Sequence, residues 1–83
     1  MPSFQDFRYL LAIADSGSLS VAARNLGVRQ STLSMAMDRL ADHAGQKIYF
    51  RAKGGVELSE GGRYLVHYAR DLIDRWEGVQ AEL

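Results

Sequence analysis

The sequence predicts a mainly helical fold, with three helices, a two-stranded β-hairpin and a long C-terminal helix. One reason is the position of the glycines, which divide the chain into four segments of helix length and one short segment centred on Gly54 and Gly55. A second reason is that apolar residues recur at three- and four-residue steps within the helical segments. The length of 83 residues, with 47% hydrophobic content, suits one domain with a small core.

The first helix is predicted from Ser3 to about Asp15. Ser3 can cap its N-terminus, and Asp6 lies in the first turn, where the helix dipole favours a negative charge. Ser16 and Gly17 end the helix. Its apolar stripe consists of Phe4, Phe7, Leu10, Leu11 and Ala14.

Two further helices are predicted at 19–26 and at about 30–44. Ser18 or Ser20 can cap the second helix, and Gly27 supplies the left-handed residue of the turn between the two. The apolar face of the third helix consists of Leu33, Met37, Leu40, Ala41 and Ala44.

Two β-prone runs, 47–51 and 56–58, flank a Gly-Gly turn and predict the hairpin. Ser59 is a suitable N-cap for the last helix, which extends to the end of the chain. Apolar residues follow each other on this helix at steps of four and three, the spacing by which two helices pair. This predicted seam consists of Leu65, Ala69, Leu72, Trp76, Val79 and Leu83.

The second and third helices, joined by a short turn, match a helix–turn–helix unit. Ala23 is small enough for the helices to cross closely, while Val28 and Leu33 anchor them to a common core. The polar start of the third helix then favours contact with base edges in the major groove over a purely structural hairpin with a solvated helix start. This start carries Arg29, Gln30, Ser31, Thr32 and Ser34.

The formal net charge of zero hides an uneven distribution. Residues 24–53 contain six basic and two acidic side chains, whereas residues 59–83 contain three basic and five acidic ones. A local basic excess beside a polar helix start is typical of a surface that binds DNA.

Taken in order, these motifs resemble the N-terminal domain of LysR-type transcriptional regulators over nearly the whole chain. The resemblance rests on Phe7 to Ala14, on Gly17-Ser18-Leu19-Ser20-x-Ala22-Ala23-x-x-Leu26-Gly27-Val28-x-Gln30-Ser31-x-Leu33-Ser34, on Arg39-Leu40 and Gly45, on Ile48-Tyr49-Phe50-Arg51, and on Leu58-Ser59-Glu60-x-Gly62.

The resemblance implies a winged helix–turn–helix domain at 1–58 and a linker helix at 59–83 that pairs two subunits. It further implies a homodimer that binds double-stranded promoter DNA at an interrupted inverted repeat, and a larger effector-binding domain with no counterpart in these residues. Because the sequence ends in mid-helix, at Leu83 on the seam, we expect a piece of a longer protein. The expected DNA-binding residues are Ser18, Ser20, Arg29, Gln30, Ser31, Thr32, Ser34, Met35, Arg39, Arg51 and Lys53.

Several residues depart from the family pattern, and three of them bear on DNA binding. Arg29 stands where Ser or Thr usually caps the third helix, so we expect that cap to be lost. Met35 stands where a basic residue is frequent, and Asp38 would repel phosphate if it faced DNA. These departures and the neutral total charge leave a second hypothesis open, a protein-interaction module that pairs through its last helix.

Other classes of function find little support in the sequence. There is no cysteine, and His43 and His67 lack partners at metal-ligand spacing, so no metal or cofactor is expected. No catalytic constellation stands out, and no apolar run approaches the ~20 residues of a membrane span. We therefore expect a cytoplasmic, nucleoid-associated protein that is not an enzyme. We also expect Tyr64 and Tyr68 to cover the junction between hairpin and last helix.

Overall fold

The computed structural model describes residues 2–83 and confirms the predicted fold class. The elements, in chain order, are α1 (Phe4–Ser16), α2 (Leu19–Leu26), α3 (Gln30–Ala44), β1 (Tyr49–Ala52), β2 (Gly55–Leu58) and α4 (Glu60–Glu82). The predicted bounds of α2 and α3 are confirmed, whereas β1 begins two residues later than predicted.

Side-chain caps define the start of three of the four helices. Ser3 forms a reciprocal capping box with Asp6, and the hydroxyls of Ser18 and Ser59 accept from backbone N–H groups one turn into α2 and α4. Arg29 stands at the same position of α3 and makes no such bond, which confirms the predicted loss of that cap.

The core lies where α1 packs against α2, α3 and α4. Its largest fully buried side chains are Leu10, Ile13, Leu33, Met37 and Leu40. Two details of the predicted apolar stripes are wrong. Ile13 is more deeply buried than the predicted Ala14, and Ala44 is exposed because it lines an open cavity between the end of α3 and the start of α4.

The hairpin is tied to the helices through its backbone. The N–H of Val56 donates to the carbonyl of Gly17 at 2.9 Å, and the N–H of Ser59 donates to the carbonyl of Ile48 at 2.9 Å. Gly55 lies against Gly17 so closely that a Cβ atom at Gly55 would collide with the Gly17 carbonyl. The predicted Gly-Gly turn is therefore corrected, because Gly55 pairs with Ala52 inside the sheet and the turn is formed by residues 53–54.

Two features fix α4 on the rest of the fold. At its start, Gly62 is buried against the carbonyl of Ile48, while the hydroxyl of Ser59 donates to the carbonyl of Lys47 at 2.7 Å. Further along, Ala69 and Ile73 are buried against the rest of the chain. Ala69, only 1% exposed, is thus a core residue, so its assignment to a surface that pairs two chains is corrected.

Two glycines of α4 should respond in opposite ways to alanine. Gly62→Ala places a Cβ into the Ile48 carbonyl, and we expect a loss of about 1–3 kcal/mol in unfolding free energy. In Gly78→Ala the new Cβ has no neighbouring atom within 4 Å, and the unfolding free energy should rise by about 0.5–1 kcal/mol because alanine favours the helix. Urea unfolding of both variants tests this, and a change of the same sign in both would contradict the close approach at Gly62.

A buried carboxylate connects the start of α1 to α3. Asp6 is 3% exposed and accepts from the Arg39 guanidinium at 2.9 Å, as well as from the N–H of Ser3. Burial alone would raise the pKa of Asp6, but the hydrogen bonds from Arg39 and Ser3 outweigh it, so this pKa lies below its usual value.

This lowered pKa makes Asp6 a source of acid sensitivity. Because the pKa of Asp6 is lower in the folded than in the unfolded chain, its contribution to stability is present above the unfolded pKa. That contribution is lost as the pH falls through the folded value. In Asp6→Asn, the unfolding free energy measured by urea titration should therefore fall less between neutral pH and pH 3 than in the parent chain.

Asp15→Asn is the matched control for this experiment. It also removes a carboxylate from an arginine pair, with Arg70 at 2.8 Å, but Asp15 is exposed, and exposed pairs contribute little to stability. Identical acid profiles for the two variants would contradict the role assigned to Asp6.

Candidate nucleic-acid interface

The start of α3 presents the polar surface that the sequence predicts. Gln30 and Ser31 are exposed, and Thr32 and Ser34 are half-buried at the edges of the exposed face. The buried side of the helix carries Leu33, Ala36, Met37 and Leu40. The side opposite to it is formed by Ser31, Met35, Asp38 and Asp42, all exposed, which we call the outward stripe.

The start of α2 lies next to the hairpin. The hydroxyl of Ser18 accepts from the N–H of Val21 at 3.2 Å and shares a hydrogen bond with the hydroxyl of Ser20 at 3.1 Å. Ser18 follows Gly17, the residue against which Gly55 packs. The hairpin therefore contacts the turn between α1 and α2, next to the candidate residues at the start of α2.

The hairpin, which we call the wing, presents its two candidate cations to solvent. Arg51 pairs with Val56 in the sheet and shares a face with Tyr49, because side chains alternate along a strand. This is the face that packs towards the core, so Arg51 extends from its edge. Lys53 lies in the two-residue turn at the tip.

The ion pairs divide the basic residues into two groups. Those with an acidic partner within 4 Å are Arg8, Arg39, Arg70 and Arg75. Within residues 2–83, those of segment 24–53 that have no acidic partner at this distance are Arg24, Arg29, Lys47, Arg51 and Lys53. The structure thus gives Arg39 a different role from the predicted one, since it neutralises Asp6 instead of standing free beside the start of α3.

Three further residues extend the candidate surface beyond the predicted set. Arg24 is exposed in the last turn of α2, close in sequence to the start of α3. Lys47 lies over the ring of Phe50, with its Nζ 5.8 Å from the ring centroid, and Phe50 itself is exposed on the wing. The charge distribution contained a signal for both cations, but no sequence pattern distinguished Phe50 from a core aromatic residue.

A second exposed surface lies on α4 and consists of Leu72, Trp76, Val79 and Leu83. Trp76 packs edge-on against Phe4 of α1, with ring centroids 6.3 Å apart. The rings of Tyr64 and Tyr68 pack against each other with centroids 5.0 Å apart, and both are exposed. Tyr64 lines the open cavity between the end of α3 and the start of α4, so the expected cover of the junction between wing and α4 stays a prediction.

The part of the chain that the structure describes contains no group of three or more His, Asp or Glu side chains arranged to hold a metal ion. None of the helices in residues 2–83 is long and apolar enough to cross a membrane.

The sequence is similar to those of known bacterial regulatory proteins. A family model described as bacterial regulatory helix-turn-helix protein, lysR family, matches residues 4–63. A small neutral protease regulatory protein of Streptomyces coelicolor is 42% identical over 66 residues, which are 80% of this chain and 20% of that protein. An uncharacterized HTH-type transcriptional regulator of Mycobacterium bovis is 31% identical over 83 residues, which are 100% of this chain and 27% of that one. The chain thus spans about a fifth to a quarter of these relatives.

Solved structures show the same fold. The crystal structure of a complex between the CbnR DNA-binding domain and DNA superposes with a TM-score of 0.90 at 25% identity, covering 96% of this chain and 92% of that one. Full-length CbnR, a LysR family transcriptional regulator, gives a TM-score of 0.91 at 25% identity, covering 96% of this chain and 28% of that one.

Proposed function

Because the chain belongs to the LysR family of bacterial helix–turn–helix regulators and is a DNA-binding domain of that type, we propose that two copies pair through α4 and bind promoter DNA at an inverted repeat. In each copy α3 enters the major groove, and the wing contacts the backbone or the adjacent minor groove. The two half-sites then lie one or more helical turns apart.

The observation that carries this proposal is the position of the cations without acidic partners. Within residues 24–53 these cations lie at the end of α2, at the start of α3, just before the wing and on the wing. Phosphate contacts supply most of the affinity of a DNA-binding surface, and they need cations that are not already neutralised.

The proposed roles divide by chemistry. Gln30, Ser31 and Ser34 face base edges, with Thr32 at the side of the same surface. Ser18, Ser20 and Arg29 contact phosphates near two helix starts, where backbone N–H groups favour anions. Arg51 and Lys53 act from the wing. Arg39 is left out, because Asp6 already engages it.

The proposed dimer contact uses the exposed side of α4. Leu72, Trp76 and Val79 are large apolar side chains left open there, with Leu83 beyond them, and Leu65 is partly buried at the near end. Residue 58 then marks a boundary between two proposed roles, DNA binding and the pairing of two copies. It does not divide the chain into two separately packed units, because the first half of α4 completes the core around α1. Pairing through the open side leaves that core intact.

The wing contact is testable through the salt dependence of binding. In Arg51→Ala, loss of one phosphate contact should reduce the slope of log affinity against log salt by about 1. The measurement is titration of a promoter duplex at several salt concentrations, followed by fluorescence anisotropy.

Arg70→Ala is the control, because it removes the same charge from α4, where Arg70 pairs with Asp15 at 2.8 Å. Its slope should match that of the parent chain. A slope for Arg51→Ala that equals the control would remove Arg51 from the DNA contacts.

The dimer contact is testable by placing a charge on the apolar side of α4. Trp76→Asp and Val79→Asp should shift the chain to monomer in sedimentation experiments, since an unpaired carboxylate would be buried on association. Val79→Asp is included because Trp76 also packs on Phe4. His67→Asp adds the same charge on the opposite side of α4 and should leave the dimer intact, whereas a persistent dimer in both test variants would place the contact elsewhere.

The acidic side chains of the outward stripe favour one other candidate function, a protein-interaction module. Asp38 and Asp42 are exposed there and have no basic partner within 4 Å in residues 2–83. In that case the chain would pair through α4 and fail to bind promoter DNA even at low salt.

A further inference from the structure

We propose that Met35 reads a thymine in each half-site, by packing its thioether end against the C5-methyl group in the major groove. The inference rests on the proposed function and names one base that α3 selects. The resemblance places Met35 among the expected DNA-binding residues but implies no base for it, because a basic residue is frequent at this position.

The packing of α3 directs Met35 away from the core. Met35 is 61% exposed, whereas its neighbours in the sequence, Leu33, Ala36 and Met37, are buried. On the outward stripe it lies one turn after Ser31 and one turn before Asp38. A major groove that receives the start of α3 therefore meets Met35 at the centre of the helix face.

The composition of the outward stripe restricts what it can recognise. Guanine is read by Arg or Lys through its O6 and N7 acceptors, and the stripe carries neither. Asp38 follows Met35 and excludes close approach of a phosphate, so the middle of α3 is not a backbone contact. Among the major-groove edges only thymine presents a methyl group, and Met35 is the apolar side chain on the stripe that can contact it.

The spacing along the helix agrees with contact at a single base pair. Met35 and Asp38 are about 4.5 Å apart along the axis, at 1.5 Å per residue. If α3 lies along the groove, this separation exceeds one base-pair step of about 3.4 Å, so Asp38 would meet a neighbouring pair and leave the thymine to Met35. A carboxylate at that neighbouring pair can accept from the amino group of cytosine.

A single exposed methionine is also common on protein surfaces without any role. The two interpretations differ in what happens when only the methyl group of the base is removed. Deoxyuridine keeps the pairing and the groove acceptors of thymine and lacks this methyl, so it tests the contact and nothing else.

The experiment begins with selection of duplexes from a randomised library by the 83-residue chain, by Met35→Ala and by Met35→Leu. We expect one thymine per half-site to be enriched by the parent and by Met35→Leu, and to be lost with Met35→Ala. In the selected duplex, replacement of this thymine by deoxyuridine should weaken the parent about fourfold, the effect of one buried methyl group at about 0.8 kcal/mol. The same replacement should leave the affinity of Met35→Ala unchanged.

Met35→Arg provides a second measurement that does not depend on the small methyl effect. A guanidinium at the centre of the stripe should change the selected base from thymine to guanine. If Met35 lay outside the groove, this variant would steepen the salt dependence without changing the selected base, and the proposal would be overturned.

The outcomes separate this inference from the proposed function. Selection of a shared sequence in which deoxyuridine is tolerated equally by the parent and by Met35→Ala overturns the role of Met35 and leaves DNA binding standing. Failure to select any duplex at low salt overturns both.

Discussion

The attachment of the wing to the helices is the constraint on which the candidate nucleic-acid surface depends. Its two strands form four residue pairs, too few for a hairpin to be stable by itself in water. One backbone hydrogen bond, from the N–H of Val56 to the carbonyl of Gly17, fixes an edge of the wing to the end of α1, and a second, from Ser59 to Ile48, closes the open end of the hairpin at the start of α4. The first requires glycine at 55, since any Cβ there would meet the Gly17 carbonyl. The orientation of the wing, and with it that of Arg51, thus depends on the close backbone approach that Gly55 permits.

A second constraint separates structural charges from free ones. Arg39 is occupied by Asp6, and Arg70 by Asp15, so these arginines connect α1 to α3 and α4. The cations of the wing and of the α2–α3 turn have no such partners in residues 2–83. A formal charge of zero is therefore compatible with a basic surface, because part of the positive charge serves the fold and the rest remains available.

Local chemistry made most of the fold predictable from sequence. Ser18 and Ser59 cap helices where their side chains suggested, and Gly27 and Gly45 adopt the left-handed conformation that ends α2 and α3. The failures arose from contacts between distant segments. Spacing alone placed Ala69 on a pairing seam, but α1 covers one side of α4 and buries it. Likewise, no local pattern indicated that Arg39 would meet a residue 33 positions earlier.

The length of α4 has a geometric consequence for any assembly built on it. At 1.5 Å per residue its 23 residues extend about 34 Å, close to one turn of DNA. Near its start, α4 is held against the domain at Gly62 and Ala69, both of which are buried. In a pair of chains joined along this arm, a rotation of about 10° at the far end would displace the near end by about 6 Å, more than one base step. Small angular adjustments between two such arms would then select among half-site spacings, with no change inside either domain.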